Sequence, residues 1–287
     1  MPGTTNKRNF IQSLERGLSI LSFFSQAGPQ LTLTDLSRGV GMGLGSASRY
    51  VQTLTELGYL SRDPLTKTYC LAPKVLSLGF GILKNMDLRA RIAPYLAEVN
   101  REFGVGTQCA ILDDTEIVYV ERFRSRSLVA LDLTIGSRIP AYCTALGRAI
   151  LAFLDEETKK RIVSRMKIVP LTRFTVAEKG DLLRELEVTR KRGYAVNVQE
   201  LVLGQAGIAA PIFRGKAVEG AFGFSFPHEA MKNEQWKATL IHRLEEIAEK
   251  VSIRETGEDQ EPGEDRPKPA PRKTNGDRVQ SPPTGRR

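Results

Sequence analysis

The sequence predicts an α+β protein: an N-terminal winged helix-turn-helix, connector helices, a larger α/β domain and a disordered C-terminal tail. Three observations lead there. Between Leu31 and Leu71, two short helical patterns flank a glycine-rich turn and are followed by two short strand-like runs. From Gly106, strand-like runs mix with helical ones over about 150 residues, the size of a sensor domain. From Gly257, six prolines and dense mixed charge leave almost nothing apolar to bury.

Residues 1–9 are expected to be a disordered arm. Ile11, Leu14, Leu18 and Leu21 recur at i, i+3, i+7 and i+10, with Phe24 beyond, and predict a helix packed beneath the helix-turn-helix. Leu33, Leu36 and Val40 give the next helix one apolar face. Thr32 is its N-cap, and Asp35, three residues on, makes a weak capping box. The four glycines between Gly39 and Gly45 predict the tight turn. Ala47, Val51, Leu54 and Leu57 predict the buried face of the second helix, with Gly58 as its C′ stop. Tyr59–Arg62 and Tyr69–Leu71 read as strands joined by the polar turn Asp63–Lys67, which completes a unit over residues 10–72.

Pro73 at N1 opens a connector, residues 73–86, whose run KVLSLGFGILK is apolar enough to pack against another chain. A helix over Asp87–Phe103 follows, with Leu88, Ile92, Leu96, Val99 and Phe103 on one side and Pro94 expected to kink or restart it. TQCAIL and EIVYVERF read as strands around Asp113-Asp114, and Leu128–Ile135 as another. Helices are expected over Thr144–Leu154 and Ala177–Gly193, and strands over Tyr194–Val198, Gln205–Phe213 and Val218–Phe226. A last helix, Asn233–Thr256, presents Trp236, Leu240, Leu244, Ile247 and Val251. The larger domain thus spans 87–256 and the tail 257–287.

Charge and composition narrow the function. The net charge is +9 over 287 residues. Residues 1–86 hold nine Lys/Arg against four acids, or +5, while the last 33 residues hold seven of each. The helix-turn-helix end is therefore the basic end, as contact with DNA phosphates requires. Modest basicity alone would serve solubility equally well; beside the motif it points to duplex DNA. Three cysteines without C-x-x-C spacing predict neither disulfides nor zinc, and fit a reducing cytoplasm. No apolar run is long enough to cross a bilayer, and the N-terminus lacks a signal-peptide h-region. The two histidines, His228 and His242, stand without a nucleophile elbow, phosphate loop or metal cluster. No catalytic residue, metal or cofactor is expected.

A recognition helix turns its first turns to base edges and its flanks to phosphates. Ser46 and Ser48 are short hydroxyl donors, and Arg49 suits a bidentate guanine contact or a phosphate clamp. Tyr50 and Gln52 are neighbours in the groove, and Arg62 and Lys67 flank the wing. Arg16 and Arg38 suit a solvated face or an internal ion pair as well as DNA.

The order helix-turn-helix, GYL wing, connector helices, then GSRIPAYCTALGRAILAFL and GYAVNVQELVLGQAGIAAPIF resembles the IclR-type family of bacterial transcriptional regulators, from Phe10 to Ile253. The wording SLERGLSIL and SRIPAYCT is most similar to the branch that senses aromatic acids such as protocatechuate or 4-hydroxybenzoate. The resemblance implies an N-terminal DNA-binding domain, a GAF-like ligand-sensing C-terminal domain, and dimers or tetramers on palindromic promoter sites. One departure is that Gly43-Leu44-Gly45-Ser46 stands where relatives carry a Pro-Lys-Ser-Thr-like run, so a phosphate-reaching lysine is missing.

For the sensor, the strand end and turn that enter the Thr144 helix place unpaired N–H groups of Thr144, Ala145 and Leu146 where a carboxylate can bind. Tyr142 offers a phenol or ring face, and Arg138 a bidentate partner for an acid. The plainer readings are helix capping for Thr144 and a surface-turn arginine for Arg138. Cys143 reads as a small buried hydrophobe. By the resemblance, the second segment lines the same pocket through Asn197, Gly207 and Ala209, with Ser225 between Phe224 and Phe226 on the next strand. Asn197 stands where relatives often have an acid, which favours anionic ligands; Glu200 also suits a structural hydrogen bond. The expected function is a promoter-binding regulator modulated by a small organic acid. The alternatives are a regulator whose C-terminal domain only oligomerises and, further off, an enzyme acting on such an acid.

Overall fold

The computed structural model describes residues 10–125 and 133–253. The expected arm and tail, and most of the expected strand over 128–135, lie outside them.

The N-terminal unit comprises α1 (Gln12–Ala27), α2 (Leu33–Gly39), α3 (Leu44–Glu56) and the antiparallel ribbon β1 (Leu60–Arg62) and β2 (Tyr69–Leu71). Local chemistry sets its boundaries. Thr32 and Asp35 form a full capping box: the Thr32 hydroxyl accepts from the Asp35 N–H at 3.2 Å, and the Asp35 carboxylate accepts from the Thr32 N–H at 2.9 Å. α3 ends in a Schellman pair, Tyr59 N–H to Leu54 O at 2.8 Å and Gly58 N–H to Thr55 O at 2.9 Å, with Gly58 at φ +76°. The turn between α2 and α3 is shorter than expected, because Gly39 closes α2 and Gly45 already lies inside α3.

Two expectations about buried faces are corrected. α1 buries Ile20 and Phe24, while Ile11, Leu14 and Leu18 are exposed. The helix has two apolar stripes on opposite sides, and periodicity does not say which one meets the core. Leu57 is exposed as well, because it is the C-cap, where the helical path ends.

The connector α4 (Lys74–Lys84) buries none of its residues; Leu76, Leu78, Phe80 and Ile82 are all exposed. Pro73 is its N-cap rather than N1. Lys74 ties its start to the end of α3, with Nζ donating to the Leu57 carbonyl at 2.9 Å and lying 4.9 Å from the Tyr59 ring centre. Asn85 and Met86 separate it from α5 (Asp87–Phe103), which runs on through Pro94 and ends at a left-handed Gly104.

The C-terminal domain is built on six antiparallel strands in the order β5-β4-β3-β8-β7-β6: β3 (Gly106–Asp113), β4 (Glu116–Phe123), β5 (Arg138–Pro140), β6 (Ala195–Val198), β7 (Gln205–Arg214) and β8 (Ala217–Pro227). One face packs Cys109, Ile208, Phe222 and Phe224 against α5 and α9 (Glu234–Val251). The other packs Ala110, Tyr119, Ala209 and Ala221 against α6 (Ala145–Phe153), α7 (Glu156–Arg165) and α8 (Lys179–Arg192). Residues 133–137 form a turn rather than a strand, and the short edge strand β5 follows them. α7 was not expected. Its run EETKKRIVSR carries only Ile162 and Val163 as apolar residues, and its start is set by Asp155 capping the Thr158 N–H at 2.8 Å. Among the described residues no helix is long and apolar enough to cross a membrane.

Candidate functional site

Two surfaces carry the residues singled out above. The first is the outer side of α3. Ser48, Arg49 and Gln52 are exposed there and Ser46 is half-buried. Among the described residues no carboxylate pairs with Arg49, whereas Gln52 donates to Glu56 at 3.0 Å. Tyr50 lies half-buried against the core of Ile20, Val51 and Leu54, so packing uses much of its ring. On the wing, the Arg62 guanidinium lies 5.7 Å from the Tyr69 ring centre, and Lys67, at φ +57°, is exposed beside the turn. The Leu65 and Thr66 N–H groups bond the Asp63 carboxylate, which holds its pKa below the usual carboxylate range and shapes the wing tip.

The second is a cavity of about 80 Å³ between the sheet and the N-terminus of α6. Thr144, Ala145 and Leu146 border it from the helix; Asn197, Gly207 and Ser225 border it from the sheet. Six residues expected at a ligand site thus meet in one place. Thr144 also caps α6, its hydroxyl accepting from the Gly147 N–H at 2.9 Å. Intrahelical bonding begins with the Arg148 N–H, which leaves the Ala145 and Leu146 N–H groups at the cavity edge. Asn197 donates to the Cys143 carbonyl at 3.0 Å, which ties β6 to the entry of α6.

Three expected residues do not border the cavity. Arg138 lies on edge strand β5, where Glu116 and Asp113 bind it, each at 2.8 Å. These partners raise its pKa and hold it on the outer rim. The Tyr142 hydroxyl is engaged by Val169, donating to the carbonyl at 2.8 Å and accepting from the N–H at 3.1 Å. Ala209 is on the right face of β7 but belongs to the core. Burial pushes the Cys143 thiol up to about 12, so it is a neutral, small packing group.

Four residues that matter here were not singled out from sequence. Gln108, Tyr119 and Arg122 line the cavity from β3 and β4. Burial pushes the Tyr119 phenol up to about 12, which keeps it neutral. Arg122 is the one charged side chain among the described lining residues, which include no carboxylate. The fourth is Arg148, 1% exposed, whose guanidinium pairs with Glu200, 7% exposed, through two bonds, one of 2.6 Å. The pair gathers the cavity's surroundings. Arg148 Nε donates to the Tyr142 carbonyl at 2.9 Å, the Glu200 carboxylate accepts from the Val176 N–H at 3.0 Å, and the Thr175 hydroxyl donates to the Glu200 carbonyl at 2.6 Å. Glu200 is thus a structural hydrogen-bond partner, and it anchors the loop whose Leu201 and Val202 line the cavity.

The entry to α6 tolerates no side chain at Gly147, where a Cβ would stand 2.2 Å from the Ala141 carbonyl oxygen. Gly147→Ala is expected to cost about 1–3 kcal/mol of stability, measured as a lower urea midpoint with an unchanged slope.

Two family models match the chain. The profile of the bacterial transcriptional regulator IclR C-terminal domain matches residues 80–253, and that of the IclR helix-turn-helix domain matches 13–64. The Pca regulon regulatory protein of Pseudomonas putida is 32% identical over 73% of this chain and 72% of its own length. The HTH-type transcriptional regulator KipR of Bacillus subtilis is 30% identical over 85% of this chain and 97% of its own. The solved structure of the Thermotoga maritima IclR superposes with a TM-score of 0.64 at 25% identity, covering 85% of this chain and all of that one.

Proposed function

The chain belongs to the IclR family of bacterial transcriptional regulators, and from that premise we propose how its two surfaces share the work. The protein is a DNA-binding regulator modulated by a small-molecule effector. Its α3 enters the major groove with Ser46, Ser48, Arg49 and Gln52 toward bases and phosphates, and Arg62 and Lys67 follow the backbone beside the wing. Tyr50 supports that face from beneath. The effector is a small organic acid held in the cavity at the α6 N-terminus, and the protein uses it as a signal, without catalysis, in the cytoplasm. The observation that carries this reading is the cavity lining itself: two N–H groups of a helix start, with the side chains of Thr144, Asn197 and Ser225 around a hollow otherwise lined largely by apolar groups.

The regulator works as a homo-oligomer on a palindromic promoter site. The apolar stripe of Leu14 and Leu18 on α1, with Phe10 and Ile11 just before it, and the exposed face of α4 (Leu76, Leu78, Phe80, Ile82) are the surfaces that fit a second copy. The double variant Leu78→Asp, Phe80→Asp is expected to lower the oligomer order in light scattering and to weaken operator binding, while the monomer's circular dichroism stays the same. An unchanged mass would remove α4 from the interface.

Effector binding acts by changing the fit of two α3 helices to two half-sites, a coupling of about 1–3 kcal/mol, or ~5–150-fold in affinity. Fluorescence anisotropy with the protein's own upstream intergenic DNA, with and without small carboxylic and aromatic acids, tests the whole reading. DNA binding shifted by an acid supports it. DNA binding indifferent to every acid leaves the C-terminal domain as an oligomerisation module. No DNA binding at low salt, where phosphate contacts are strongest, overturns it.

A further inference from the structure

We propose that residues 266–287 are a second DNA-binding element, a basic arm that meets the phosphates flanking the site held by the helix-turn-helix. This rests on the reading of α3 and the wing as the DNA-binding face, and goes beyond it by adding a contact from outside the two folded domains.

The charge after Ile253 is sorted by position. Residues 255–265 carry six acids and no Lys or Arg. Residues 266–287 carry seven Lys/Arg and one acid, Asp277. The zero balance of the segment therefore hides two blocks, −6 followed by +6. Blocks of like charge beyond a folded domain serve as interaction arms. Duplex DNA presents one negative charge per roughly 1.7 Å, and each phosphate met by Lys or Arg releases condensed counterions. It is the partner that a +6 block fits, on a protein that already holds it.

The fold fixes where this segment departs. The Ile253 N–H donates to the Phe213 carbonyl at 2.9 Å, and the Ile253 carbonyl accepts from the Gly215 N–H at 2.6 Å. Between those two partners, Arg214 reaches the Asp87 carboxylate in the first turn of α5 at 2.7 Å. Arg91 of α5 donates to the Val251 carbonyl at 2.8 Å. The exit is thus tied to the start of α5, where Asn85 and Met86 join the larger domain to α4. No unpaired carboxylate stands there for the basic block to occupy instead. Asp87 and Glu219 are each paired with both Arg91 and Arg214.

Reach is sufficient. From the exit, α4 and α3 measure roughly 16 Å and 20 Å along their axes. The 13 residues from Ile253 to Arg266 can span up to ~45 Å. The first cation of the arm can therefore stand level with α3, and the others can follow the duplex beyond it. The acidic block, which phosphates repel, is the spacer. A tethered contact of this kind adds affinity through effective concentration, without a new folded interface.

The test is fluorescence anisotropy of the full-length protein with its own upstream intergenic DNA and with a scrambled duplex of equal length and composition, at three salt concentrations. Wild type is compared with a full-length variant in which every Lys and Arg of 266–287 is changed to Gln, and with Arg49→Ala. An unchanged thermal midpoint checks that the folded domains are intact. The Gln variant is expected to bind both duplexes ~10–100-fold more weakly at low salt, with a salt slope shallower by about 2–5 counterions per chain. It keeps the wild-type preference for the protein's own DNA, which Arg49→Ala loses. Wild-type affinity and slope in the Gln variant overturn the arm and leave the helix-turn-helix reading intact. Tighter binding also overturns it, and makes the segment a competitor of DNA. A loss confined to the protein's own DNA overturns a contact made through phosphates. Failure of wild type to bind either duplex at low salt overturns the arm and the DNA-binding reading together.

Discussion

Glu200→Ala lowers the stability of the C-terminal domain by about 3–5 kcal/mol, the largest effect of a single substitution expected in this chain. The change leaves the Arg148 guanidinium buried beneath α6 with no counter-charge and releases the Val176 N–H from its acceptor. The cost is that of an unpaired buried ion rather than of a lost contact. For the same reason the double variant Arg148→Met, Glu200→Leu is expected to recover most of the loss, because buried pairs are often replaced by apolar groups without penalty. Urea denaturation followed by circular dichroism checks both. A wild-type midpoint for Glu200→Ala would mean that the pair is solvated. A double variant as unstable as the single one would assign the cost to the bonds on Tyr142 and Val176.

Arg49→Ala is expected to weaken binding to the operator by ~10–100-fold and to relax preference at one base pair of each half-site, as loss of a bidentate guanine contact does. Arg49 is exposed on the first half of α3, and no carboxylate among the described residues competes for it. Arg62→Ala, on the wing, should instead weaken all sequences alike and reduce the salt dependence by about one counterion per copy. Anisotropy against an operator and single-base variants at two salt concentrations separates the two. Equal losses on all sequences for Arg49→Ala would move that residue from bases to phosphates.

Much of this architecture is legible in the sequence because local rules set it. The Thr32–Asp35 box, the Gly58 stop and the alternation of TQCAIL and EIVYVERF each fix a boundary or a strand within a few residues of chain. Thr144 is legible as the start of a helix, and Asn197, Gly207 and Ser225 through the resemblance; the fold brings these candidates to one cavity. What stayed hidden depends on partners far along the chain or on a break in the pattern. Arg148 sits in the apolar run ALGRAILAF, and its role appears only with Glu200, 52 positions on. Arg122 was missed because strict alternation places it on the wrong face, and only the bulge at Val120 corrects that. Arg138 looked apt for an acid, yet Glu116 and Asp113 neutralise it at the sheet edge. The inner face of α1 was misread because an amphipathic pattern does not identify which of two apolar stripes meets the core.

The bond from Lys74 to the Leu57 carbonyl sets where this molecule can flex. It ties the first turn of α4 to the last of α3, which favours movement of the helix-turn-helix and α4 together. Asn85 and Met86, the two residues between α4 and α5, are then the expected pivot. An 11-residue stalk is roughly 16 Å long at 1.5 Å per residue, so a tilt of ~10° at that pivot carries its far end by about 3 Å. Half-sites recur on the duplex at about 34–36 Å, so in the proposed oligomer such a stroke would change how two heads meet the grooves.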